Sequence, residues 1–269
     1  MQDIIKLSNE LQYAISKTST EELLAIATNV PFLFVHSTAR RFNNTKELLK
    51  NAGKYLSKES KELFSALVNK NLEKYIDKKE ANIKSALKEF ENFSKEFTKK
   101  LQNDPQTNLS NLVIFILGAY LGSGGIDGDG GIPDTDLLFS IGDHRSIFTH
   151  SIIAGIVVEV MIMTTIISID MLYDKLPTNH SKIWDSLHEK KDEFLFNFTK
   201  GVSSGLAYHF AIDSTIDIGT YKHLPFSMPI EMHQFIMGTN SVMEGADAVY
   251  KKLEDLKRIK LLKKRLSLS

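Results

Sequence analysis

Leu63-Phe-Ser-Ala-Leu-Val-Asn-Lys-Asn-Leu-Glu-Lys-Tyr-Ile76 decides the fold class. Its apolar side chains at 63, 67, 72, 75 and 76 recur every three to four residues, the interval at which an α-helix returns to one face. The same interval appears at Leu23, Leu24, Ile26 and Ala27. Alternation long enough for a strand is hard to find anywhere in the chain, and only six prolines interrupt it. An all-α multi-helix bundle is the expectation. Thr18-Ser-Thr-Glu-Glu22 and Ser57-Lys-Glu-Ser60 both read as helix N-caps with acidic first turns.

Residues 44–102 are charge-rich and poor in glycine. They read as two long amphipathic helices, an antiparallel hairpin breaking near Asp77–Lys79, either solvated as a scaffold or paired with a partner as a coiled coil. Asn103-Asp-Pro-Gln-Thr-Asn108 is polar and contains a proline, so the chain is divided near residue 106. Residues 1–106 then form an accessory helical region, and 107–269 a second domain that carries the chemistry.

With 33 basic and 33 acidic side chains, no global charge points to a polyanion. Cysteine is absent, so a metal must be held by imidazole and carboxylate, a set suited to zinc, manganese or iron. Residues 1–17 lack an unbroken apolar run and no secretory signal is read there. A cytoplasmic chain, peripheral to or anchored in an inner membrane, is expected.

Seven of the fifteen glycines lie between Gly118 and Gly131, where a loop needs positive φ or a close backbone approach. The candidate donors follow at once: Asp134 and Asp136 in Pro133-Asp-Thr-Asp136, then His144, Arg145 and His150 in His-Arg-Ser-Ile-Phe-Thr-His. Further on, His209 and Asp213 stand four apart, one helical turn, and His223 follows. Asp134, Asp136, His144, His150, His209, Asp213 and His223 exceed what one tetrahedral ion requires, so two ions are expected. Such a centre activates water for hydrolysis, with Asp136 or Asp134 as general base and Arg145 offering its fork of donors to a phosphate oxygen. Asp127-Gly-Asp-Gly also resembles a calcium loop, but the twelfth position is Leu138 where a glutamate would be needed. His36, His180 and His188 have no carboxylate partner at a suitable spacing, and His233 is marginal.

Pro-Asp-Thr-Asp (133–136), His-Arg-x-x-x-Thr-His (144–150) and His-x-x-x-Asp (209–213) together resemble the YdjM/YbcI group, over residues 112–226. That resemblance implies a LexA-regulated, membrane-associated, metal-dependent hydrolase. More distantly, the Asp136–His150 spacing and His209, Asp213 and His223 are similar to the all-α zinc-dependent phospholipase C type. This chain departs from that type in lacking its His-x-x-x-Glu, since Met237 stands four after His233.

Ile147–Ser168 is nearly continuous apolar sequence broken by His150 and Glu159, which nine positions place on opposite faces of a helix. It reads either as the central helix of an all-α domain or as a membrane span. At the end of the chain Lys251, Lys252 and Lys257 to Arg265 surround Leu253, Leu256, Ile259, Leu262 and Leu266. That basic amphipathic pattern suits anionic lipid, a nucleic-acid backbone or an acidic partner, or an ordinary helix with solvated lysines. Two functions are expected. One is a metal-dependent hydrolase of a phosphoester, a lipid head group or nucleotide. The other is a non-catalytic metal-binding helical module that recruits a membrane, nucleic acid or protein.

Overall fold

A computed structural model describes residues 2–125, 130–138, 146–216, 220–222 and 227–255, with the backbone alone at 2 and 136–138. Its helices are α1 Gln2–Ser16, α2 Thr20–Val68, α3 Leu72–Asn103, α4 Pro105–Ser123, α5 Ile152–Tyr173, α6 Lys182–Thr215 and α7 Ile230–Tyr250, with a 3-10 turn at Pro133–Leu138. No strand occurs among the described residues, and the fold is the expected all-α bundle. Residues 1–44 and 113–269 form one compact unit and residues 45–112 a second, a grouping that differs from a single cut near residue 106.

In the second unit, the hairpin breaks at Asn69–Asn71, earlier than Asp77–Lys79. Lys70 takes a left-handed φ of 54°, and the Asn71 N–H reaches back to the Ala66 carbonyl at 2.8 Å, closing the end of α2. The stretch quoted first therefore holds two helices. Past the turn, Glu59 accepts from Lys79 and Glu62 meets Lys78 at 2.9 Å. Ser57 is no cap but an interior residue of α2. Ser19 is one: its Oγ accepts from Glu22 N–H while the Glu22 carboxylate accepts from Ser19 N–H, a reciprocal capping box. A helix boundary falls at Asp104: its Oδ1 accepts from Thr107 N–H, and Pro105 stands first in α4, where its missing N–H costs nothing.

In the first unit, α2, α5 and α6 meet at Leu33, Ile156, Val160, Met163, Ile166 and Leu195, a second apolar group of Val202, Leu206 and Phe210 lies on α6, and α7 packs along α6. α5 starts at the N-cap Ser151, whose Oγ accepts from Ile153 N–H. His150 thus precedes the helix, so it and Glu159 do not occupy opposite faces of one helix, and both are buried. By length and composition α5 can cross a membrane, and a third of its most apolar window is buried within the chain.

α4 and α6 meet backbone to backbone. A Cβ on Gly118 or Gly122 would strike the Phe198 or Val202 carbonyl oxygen at 2.3 or 2.4 Å, and one on Gly201 or Gly205 the Phe115 or Ala119 oxygen at 2.1 or 2.2 Å. Gly118 and Gly122 therefore belong to a helix and not to the loop, and their purpose is close approach.

An ion cluster lies buried beside this core. Arg40 bonds Asp247 and Glu159 at 2.9 and 2.6 Å, while Arg41 bonds Glu159 and Glu244, both at 2.8 Å. Lys251 approaches Glu159 to 3.1 Å. Three cations thus balance three carboxylates. Burial drives the Glu159 carboxyl upward, but Lys251, Arg40 and Arg41 outweigh it and hold it well below the ordinary range. The same cations bring Asp247 down to about 2 against its burial. Lys251 is buried here and so is not part of a solvated basic face. Residues 256–269, the rest of the expected basic helix, lie outside the described residues.

Candidate metal centre

Asp134 sits on the 3-10 turn, held by the Gly130 N–H that donates to its Oδ2. Gly131, at φ 71°, allows that turn to press on α4: a Cβ there would lie 2.3 Å from the Leu121 oxygen, to which Ile132 N–H already bonds at 2.8 Å. His209 and Asp213 project from one face of α6, as their spacing predicts. His150 arrives from the chain that enters α5.

These side chains converge in the interior. One donor atom each of Asp134, His150 and His209 lies within 4.8 Å of the others, and all three residues are buried. Asp213 Oδ2 stands 3.8 Å from His150 Nε2 and 3.6 Å from His209 Nε2, and Asp134 Oδ1 lies 3.8 Å from His150 Nε2. Two ligands each about 2.1 Å from one ion lie at most about 4.2 Å apart, and these three separations fall inside that limit.

The tautomer of His209 is decided by its neighbour. Its Nδ1 lies 3.1 Å from the Ser123 carbonyl oxygen, which can only accept, so Nδ1 carries the proton. In the neutral ring Nε2 then presents a lone pair to the cluster, and it is buried with no hydrogen-bond partner among the described residues. A histidine that donates its far N–H to a carbonyl is the usual form of a metal-binding imidazole. His150 has a comparable neighbour: its Nδ1 lies 3.0 Å from the Thr149 hydroxyl, which in turn donates to the Ser146 carbonyl.

His150 is also fixed through its backbone. The Tyr221 hydroxyl donates to the His150 carbonyl at 2.8 Å and accepts from Asn240 Nδ2 at 3.1 Å. Burial, with the charge of Asp213 adding to it, pushes the Tyr221 hydroxyl up to about 12, so it keeps the proton it donates. His233 is no ligand in this arrangement, because its Nδ1 accepts from Tyr221 N–H at 2.9 Å. Sequence reasoning missed Ser123, Tyr221 and Asn240.

Four of the seven metal candidates, Asp134, His150, His209 and Asp213, are therefore brought together. The backbone of Asp136 belongs to the same 3-10 turn. His144, Arg145, His223 and the calcium-like loop at Asp127 and Asp129 lie outside the described residues. His180 and His188 do find carboxylates, contrary to expectation: Asp185 at 2.8 Å and Asp170 at 3.1 Å. The pairs form because Tyr173, stacked on His188, gathers both rings at the end of α5.

The chain matches no family model, no curated protein and no solved structure.

Proposed function

We propose that this chain is a metal-dependent hydrolase of a phosphoester, a lipid head group or a nucleotide-type substrate. The observation that carries the reading is the buried convergence of Asp134, His150 and His209, with the His209 tautomer set to offer Nε2. Imidazole and carboxylate donors suit zinc, with manganese or iron as alternatives. A divalent ion there would supply a water of lowered pKa, toward about 7, and polarisation of the bond to be cut. Asp134, His150 and His209 would hold the first ion. Asp213, within reach of both imidazoles, would add a donor, and Asp136, His144 and His223 are the candidates to hold a second ion. Asp136 would take the proton of the attacking water and Arg145 would bind a phosphate oxygen.

The test combines metal analysis and turnover. The purified chain should retain transition metal, lose hydrolysis of bis(p-nitrophenyl) phosphate or p-nitrophenyl phosphate on chelation, and regain it with zinc, manganese or iron. His209→Ala should lower kcat/KM by about 10²–10³-fold. A chain that retains no transition metal and hydrolyses neither ester after metal is added would sink the reading.

The burial of every described donor favours a second reading, a closed structural ion in a non-catalytic module. In that case chelation lowers the melting temperature steeply while the metal-loaded chain hydrolyses neither ester.

A further inference from the structure

The hairpin unit carries an apolar seam that stands exposed among the described residues. α3 buries no residue, and every position from Ala81 to Phe93 is exposed. Residues 49–58 of α2 are exposed at every position as well, and the described ion pairs between α2 and α3 lie at the turn end, on Glu59 and Glu62. A lone helix with a bare apolar face is marginal in water, since most helical stability comes from packing that face.

The pattern of that face is specific. Ile76, Ile83, Phe90 and Phe97 recur every seven residues, and Leu87 and Leu101 fall four after Ile83 and Phe97. Ile83, Leu87 and Phe90 are 61, 64 and 69% exposed. Alternating steps of four and three make the seam of a coiled coil, which buries its apolar residues against another helix.

We propose that α3 pairs antiparallel with α3 of a second copy of this chain. The polar interruptions, Glu80 and Ser94, select the direction. A parallel pair would stack Glu80 on Glu80 and Ser94 on Ser94 and set Lys79 against Lys84. In the antiparallel register Leu87 lies opposite Phe90, Ile83 opposite Ser94, and Glu80 opposite Phe97, so each polar seam residue meets an apolar one. Lys84 then faces Glu91, and the two-fold axis makes that pair twice. The like-charge meeting, Lys79 with Lys100, falls at the outer ends where solvent screens it. A bilayer is the poorer occupant, because Glu80 lies in the seam and Glu91 borders it, where an anionic surface would require lysine.

Charge reversal tests the pairing. Within one chain Lys84 already meets Glu80 at 2.6 Å and Glu91 meets Lys95 at 2.5 Å. Lys84→Glu and Glu91→Lys each break one of those contacts, and combining them restores neither. Recovery in the double variant therefore reads the contact between copies alone. Sedimentation of the full chain over about a hundredfold range of concentration should show a monomer–dimer equilibrium. Each single reversal should weaken the dimer about tenfold, the double variant should regain most of that loss, and Phe90→Asp should abolish association. Circular dichroism checks that the variants stay helical. The proposal is overturned by a monomer at every concentration, or by a double variant no better than the singles. It is equally overturned by a monomer that pellets with phosphatidylglycerol vesicles.

Discussion

His209 owes its readiness as a ligand to an atom with no side-chain signature, the carbonyl oxygen of Ser123. Tyr221 plays the corresponding part for His150, joining its carbonyl to Asn240 on α7. Tyr221→Phe keeps the ring and removes that link, leaving the buried Asn240 amide without this acceptor. The expected cost is about 1–2 kcal/mol of stability, together with an about 10–100-fold loss of metal affinity. Urea titration reads the first and competition with a chromophoric chelator the second. Unchanged affinity would show that Tyr221 has no part in positioning His150. His209 and Asp213 were legible in the sequence because their spacing of four is itself the geometry of one helix face. Ser123 and Tyr221 were not, since they lie 86 and 71 residues from the histidines they serve.

Among the helices, α4 and α6 approach backbone to backbone, and the Ser123–His209 bond spans that contact. Gly205→Ala places a methyl 2.2 Å from the Ala119 oxygen and 2.6 Å from Ser123 N, both backbone atoms that cannot turn aside. The helices must separate, at a cost of about 1–3 kcal/mol or more. Ser123 moves off His209 with them, so metal affinity should fall too. Gly238→Ala is the control, because its nearest neighbour is the Ser214 Oγ at 3.7 Å. That substitution should leave metal binding alone and raise stability by about 0.5–1 kcal/mol. If both variants melt alike, the glycines are not there for approach. At this scale the helices were legible from periodicity, and their ends less so. Ser19 was found because a capping box closes within three residues, whereas Ser57 shows the same composition inside an unbroken helix. The turn at Asn69–Asn71 depends on Lys70 adopting a left-handed backbone, which nothing in its neighbours announces.

Across the unit built from residues 1–44 and 113–269, the ion cluster joins α2, α5, α7 and the segment after α7, whose partners lie up to 207 residues apart. No local pattern marks such a cluster; read singly, Arg40, Arg41 and Lys251 look like surface charges. Buried together, each ion depends on the others. Glu159→Gln leaves three cations facing two carboxylates and should cost about 3–5 kcal/mol at neutral pH, whereas Glu159 exchanged together with its cations for apolar residues need not. The cluster also sets an acid limit. Asp247 titrates at about 2 in the fold and near about 3.9 unfolded, so the unfolded chain binds the proton first as pH falls. Its contribution, about 2 kcal/mol, is complete above about pH 4 and is lost as pH drops toward about 2. Glu159 acts in the same direction, held low by Lys251, Arg40 and Arg41. Glu244 opposes them, since burial raises its carboxyl and its protonation favours the fold. Two lowered carboxyls against one raised predict a net loss of stability between about pH 4 and 2. Urea midpoints of the metal-free chain, taken in steps from neutral to acid, read that slope without contribution from ions on His150 and His209. Glu159→Gln should be less stable at neutral pH yet flatter across the acid range. A variant that keeps the full acid slope would place the titrating groups elsewhere.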